Sequence, residues 1–120
     1  MSVRVEARRT EELPRSTVTF TIDVVRSAGA TGVYELSLHA DEERLDEGLT
    51  ITEVEEALRS AELLEDYPND PRGHSCLVLG YVRGRPVHVV CGLTKQGKVI
   101  LITVYVPAMP KWKDEHTRNR

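Results

Sequence analysis

A chain of 120 residues, 40% hydrophobic and 29% charged, has room for one compact domain and excludes a multidomain enzyme; no apolar run approaches the roughly 20 residues that cross a membrane. Residues 1–30, interrupted by Arg4, Arg8, Arg9, Glu11 and Glu12, exclude a secretory apolar core, so a soluble cytoplasmic chain with no membrane partner is expected. The net charge of -3 hides an asymmetry, 7 Lys/Arg against 17 Asp/Glu over residues 1–71 and 9 against 2 over residues 72–120: the second part suits an anion such as RNA, and the two parts can equally neutralise each other within one domain.

Residues 1–16 lack any period and read as an arm. Residues 17–25 alternate, placing Val18, Phe20, Ile22 and Val24 on one side, which predicts a half-buried strand. Gly29 and Gly32 make a turn, after which Tyr34, Leu36 and Leu38 form a second strand or lead into a helix. Residues 39–47 are acidic and helix-forming, and Gly48 stands where a glycine ends a helix. Next, Thr52 and Glu55 have capping-box spacing, and Val54, Ala57, Leu58 and Ala61 make the buried stripe of a second helix. Two prolines, a glycine and several Asx residues make 66–73 an exposed loop. Residues 76–82, 85–93 and 99–106 are β-rich and joined by short links, so they read as an antiparallel meander, followed by a polar, basic tail containing Trp112. The expected fold is α+β: two short helices on one face of an antiparallel sheet, with an extra N-terminal strand.

Alternation along a strand sorts these runs by face. Cys76, Val78, Gly80, Val82, Val87, Val89, Cys91, Leu93, Ile100, Ile102 and Val104 form an apolar face for the helices. Leu77, Leu79, Tyr81, His88, Val90, Leu101, Thr103 and Tyr105 form a mixed face. His88 with Tyr105 and Tyr81 is therefore a candidate site for acid/base or anion-binding work, set against the plainer reading of a hydrogen-bonded histidine between strands. Arg83 and Arg85 flank Gly84 and could fork around a phosphate, or serve as ordinary turn arginines. His39 opens the first helix beside Asp41, Glu42 and Glu43, either as a titrating group or as a bridge between helix and sheet.

His74, Cys76, His88 and Cys91 offer metal-type donors, but His88 and Cys91 are three apart in a strand and face oppositely, so no metal or cofactor is expected. The same geometry argues against Cys91 as a nucleophile and makes both thiols core residues. In the tail, Lys111, Trp112, Lys113, His116, Arg118 and Arg120 interleave basic groups with a ring, suiting RNA contact; the competing role for Trp112 is to anchor the tail.

From about Tyr34 to Arg120 the chain resembles a bacterial and archaeal family, the domain of unknown function numbered 4258, related to BrnT-like and RelE/ParE-like toxins. The residues that carry the resemblance are Leu38-His39-Ala40, Gly48-Leu49-Thr50, Val54-x-x-Ala57-Leu58 and Glu65-Asp66-Tyr67-Pro68, then Ser75 to Gly80, Gly84 to Val90, Thr103-x-Tyr105-x-Pro107 and Lys111-Trp112. Residues 1–33 are then an extension and 34–120 the toxin-type domain.

The resemblance implies a helix pair on an antiparallel sheet and the toxin of a type II toxin–antitoxin system, a metal-independent endoribonuclease acting on free or ribosome-bound RNA. Its implied partner is an antitoxin such as a YgiT-type zinc-finger protein. His88 would be general base or acid, His39 or Tyr105 its partner, and Arg85 and Lys111 phosphate stabilisers, with Arg83, Trp112, Lys113 and Arg118 as further RNA contacts. A sequence pI of about 5.8 departs from the strongly basic character of such toxins. The alternative is a noncatalytic module that binds a partner or forms a homodimer through the sheet face or the strand at 17–25. Burial of His88 away from His39 and Arg85 would favour that alternative.

Overall fold

In the computed structural model, which describes residues 20–118, side-chain oxygens start two of the three helices. Ser37 accepts from the Ala40 N–H to open α2 (Leu38–Asp46), α1 being Ile22–Thr31. Thr50 and Glu53 form a reciprocal capping box that opens α3 (Ile51–Arg59), two residues before the expected Thr52/Glu55 pair. The earlier pair wins because it sets buried Leu49 just before the cap and buried Val54 four residues after it, the positions of a hydrophobic staple. The expected stripe Val54, Ala57, Leu58 and Ala61 is buried.

The strand expected at 17–25 is corrected: residues 17–19 lie outside the described residues, and Ile22 onward is helix α1. Four alternating apolar residues carry no signal of the residues beyond them, and Val25, Ala28 and Gly29 supply the three-to-four spacing of a helical stripe. That stripe packs on α3 so closely that a Cβ on Gly29 would stand 2.7 Å from the Leu58 Cβ. Val25 and Ala28 belong to the same core cluster as α3 and the sheet, so α1 is built into the domain.

Five strands, β1 (Glu35–Leu36), β2 (Glu62–Tyr67), β3 (Ser75–Val82), β4 (Arg85–Leu93) and β5 (Val99–Tyr105), form an open sheet in the order β1-β5-β4-β3-β2. The meander β3–β4–β5 is antiparallel as expected, whereas β1 pairs parallel with β5, which makes the sheet mixed. The link Arg83-Gly84 has positive φ at both residues, 51° and 79°, the conformation of a two-residue hairpin turn. Strand β2 has no counterpart in the sequence reading, because its acids Glu62, Glu65 and Asp66 hide it beside the loop.

A bulge corrects the parity argument on β5. Val90 pairs with Thr103 but Cys91 with Leu101, leaving Ile102 as the extra residue. Leu101 and Val99, in place of Ile100 and Ile102, therefore join Val104 in the core beneath the helices. Beyond the two residues covered by β1, α2 protects the β5 edge. Glu43 accepts from the Val104 N–H at 3.0 Å and Glu47 from the Val106 N–H at 3.1 Å. Four residues of helix rise about 6 Å and two of strand about 6.6 Å, so the two carboxylates and two N–H groups are in step.

Glycine at position 80 seats α3 on β3: an added Cβ would stand 1.9 Å from the Ala57 carbonyl oxygen. Gly80→Ala is expected to cost about 3 kcal/mol by overpacking. Gly48→Ala, where φ is 74° and nothing lies within 4 Å, is expected to cost about 1 kcal/mol from backbone strain. Urea unfolding of the two variants checks the difference.

Candidate functional site

On the sheet face away from the helices, β3 presents Leu77 and Leu79, and the register sets Leu79 beside His88 and His88 beside Tyr105. Pro107 ends β5, and the next segment, 108–118, folds back over this face as a strap. Its Trp112 is 2% exposed and its ring meets the imidazole edge-to-face, with centroids 4.4 Å apart. His88 beneath it is 0% exposed.

Both imidazole nitrogens are used. Nε2 lies 2.7 Å from the Glu115 carbonyl oxygen, which can only accept, so Nε2 carries the hydrogen and Nδ1 is bare. The Tyr105 hydroxyl, 3.0 Å from Nδ1, then donates to it. Burial pushes the His88 pKa down, and the Arg118 guanidinium acts in the same direction, against the carbonyl of Glu115. Burial pushes the Tyr105 phenol up, which keeps its proton available for that bond. The ring is a neutral imidazole in one fixed tautomer.

Ion pairs hold the strap at its end. Arg118 donates to both Glu65 oxygens at 2.7 and 2.8 Å while its guanidinium stands 4.6 Å from the Trp112 ring centroid. His116 Nε2 lies 3.2 Å from a Glu62 oxygen, and the Tyr81 hydroxyl donates to Glu115 at 3.4 Å. The Trp112 indole N–H is close enough to Tyr105 to lower its phenol pKa but makes no hydrogen bond of normal geometry among the described residues.

Of the four candidate catalytic groups, the fold brings His88 and Tyr105 together and places the other two elsewhere. His39 is on α2, across the sheet from His88, with its side chain 65% exposed and 3.1 Å from Glu43. Arg85 reaches back to the Glu47 carbonyl at 3.2 Å and to its carboxylate at 3.6 Å. Among the RNA-contact candidates, Arg83 pairs with Glu53, Arg118 is tied to Glu65, and the Trp112 ring is interior. Lys113 is exposed, and Lys111 is exposed with its ammonium 5.8 Å from the Tyr105 ring centroid. Every arginine from 72 to 118 is thus paired with a carboxylate of the first 71 residues: Arg72 with Asp70, Arg83 with Glu53, Arg85 with Glu47 and Arg118 with Glu65.

Sequence reasoning missed the backbone of Glu115 and the carboxylates Glu62 and Glu65 as strap partners. A tryptophan in an otherwise polar tail was the available signal. Cys76 and Cys91 face each other across β3 and β4 on the helix side, both buried, and the hydrogen bond that the Cys91 S–H donates to Cys76, together with burial, pushes the Cys91 thiol up, away from thiolate chemistry. Asp114, Glu115 and His116 bring ligand atoms within 4.8 Å of one another, but Asp114 accepts from the His116 and Thr117 N–H groups and His116 faces Glu62. A cavity of about 270 Å³ lies elsewhere, lined by Ser37, Arg72, Ser75, Gly92 and Ile100 among others, and includes neither His88 nor Tyr105.

Against this geometry, the family model described as Domain of unknown function (DUF4258) matches residues 36–106, from β1 through β5, and leaves the strap outside the match. No curated protein and no solved structure matches the chain. No helix among the described residues is long and apolar enough to cross a membrane.

Because His88 has a lowered pKa in the fold against about 6.5 when unfolded, the unfolded chain takes up the proton first. The stability from burying the neutral ring is present in full above about pH 6.5 and is lost as pH falls toward and through the lowered value. Denaturant unfolding between about pH 8 and pH 5 should show stability falling with pH. His88→Gln, less stable at the upper end, should fall less steeply.

Proposed function

The chain belongs to the DUF4258 family, and on that footing we propose that it is a noncatalytic protein-binding module built on a toxin-type α+β scaffold. One observation carries this reading: the His88 ring is fully enclosed, neutral, and spends both nitrogens on Tyr105 and Glu115. Metal-independent RNA cleavage needs a base that can take a 2′-hydroxyl proton, an acid for the leaving oxygen, and cations around the phosphate. Here the Nδ1 lone pair is occupied, His39 lies across the sheet, and the turn arginines are neutralised by α2 and α3. The described arginines of the second sequence half are paired with carboxylates of the first, which leaves lysines as the cations of the second half without a carboxylate partner among the described residues.

A second reading is the toxin of a type II pair, a metal-independent endoribonuclease related to BrnT-like and RelE/ParE-like toxins, with RNA or the ribosome as target and a YgiT-type antitoxin as partner. The α2–α3 pair over β3–β4–β5 favours it. In that reading the strap must lift before His88 can act.

Inducible expression of the full chain, followed by incubation of the purified protein with total RNA, separates the two. The module reading expects neither growth arrest nor cleavage above background. Arrest and cleavage that vanish in His88→Ala and Arg85→Ala variants, with circular dichroism showing both still folded, would establish the toxin reading instead.

A further inference from the structure

Helix α2 has one face spent on the sheet and one left over. Ala40 is fully buried, and Glu43 and Glu47 turn toward the β5 edge. The opposite side carries Leu38, Glu42, Leu45 and Asp46, at relative positions 0, 4, 7 and 8, which share one helix face. Leu38 is 74% exposed and Leu45 60%. Two leucines one heptad apart on an outer ridge are more apolar than an exposed nine-residue helix needs for its own stability.

The charges around them are equally uneven. Asp41 is held by Arg44, whose side chain is turned inward onto Asp41 and the Leu49 carbonyl. Glu43 serves Val104 and His39, and Glu47 serves Val106 and Arg85. Glu42 and Asp46, which flank the leucines, have no cation among the described residues. The ridge is therefore two apolar knobs in a negative field that no described residue neutralises.

We propose that this outer face of α2 docks a basic amphipathic helix of another protein. The partner places an apolar side chain between Leu38 and Leu45, about 10 Å apart along the axis, and Lys or Arg against Glu42 and Asp46. Charge selects the occupant. A second copy would set Glu42 and Asp46 against their own equivalents, and RNA would bring phosphates to carboxylates, both repulsive. The proposal rests on the module reading and names the surface that module uses.

The probe is a synthetic amphipathic helical peptide with leucines on one face and lysines on the other, titrated into the isotope-labelled full chain and followed by amide chemical shifts. The expected result is shifts confined to α2 and its flanks, weakening as salt is raised. Affinity should fall about tenfold in Leu38→Ser/Leu45→Ser and again in Glu42→Lys/Asp46→Lys. Each substitution is on the exposed ridge, and unchanged shifts in β3–β5 confirm the fold. Shifts centred on another surface, or no shifts at all, overturn the α2 assignment while the RNA-cleavage assay still decides the module reading. Concentration-dependent dimerisation lost in the leucine variant would make a second copy the occupant and overturn the proposal as well.

Discussion

One N–H donated from the middle of the sheet to the backbone of the tail decides what the outer sheet face can be. The Glu115 carbonyl has no proton to offer, so it fixes the hydrogen of His88 on Nε2 and turns Nδ1 into an acceptor for Tyr105. A histidine wired this way is a structural joint between β4, β5 and the strap. The hydrogen bond itself contributes on the order of 1 kcal/mol, and the partly exposed Arg118–Glu65 pair no more than about that. Burial of Trp112 is the larger effect, since removing such a side chain costs about 3–5 kcal/mol. The ring supplies most of the hold, and the polar contacts fix where it lands.

On the helix side, the same economy of contacts explains the acidic composition. Glu43 and Glu47 are acceptors for backbone N–H groups that the two-residue strand β1 leaves uncovered, and Glu53 completes a helix cap while pairing with Arg83. Charges that look like a solvated face in sequence are largely joinery. Close approach at Gly80 and Gly29 lets α1 and α3 stack over the sheet, with Glu53 of α3 reaching the Arg83-Gly84 turn. Glu42 and Asp46 have no such task among the described residues, and the outer ridge of α2 that carries them is where a surface for another molecule remains.

Much of this is legible in the residues. The meander, its turn at Arg83-Gly84, the end of α2 at Gly48 and the stripe of α3 arise from local spacing and local chemistry, and the structure keeps them. Helix α1 escapes a local reading because Ile22 and Val24 continue an alternation, while the competing helical stripe at Val25, Ala28 and Gly29 gains its weight only from α3 as a partner. Parity puts Leu101 on the wrong face because a bulge at Ile102 is a property of the pairing with β4 and leaves no local mark. Parity does set His88 beside Tyr105, but the strap that closes over them depends on contacts from Glu65 and Glu115, 23 and 27 residues from position 88 along the chain. A site read from strand parity alone lacks its roof.

The tautomer and titration of the His88 imidazole, read by long-range nitrogen–proton correlation spectroscopy on the full chain, test the account most directly. The structure requires the hydrogen on Nε2 throughout the neutral range and protonation only below the ordinary histidine value of about 6.5. A ring that titrates near that ordinary value, or carries its hydrogen on Nδ1, would contradict it.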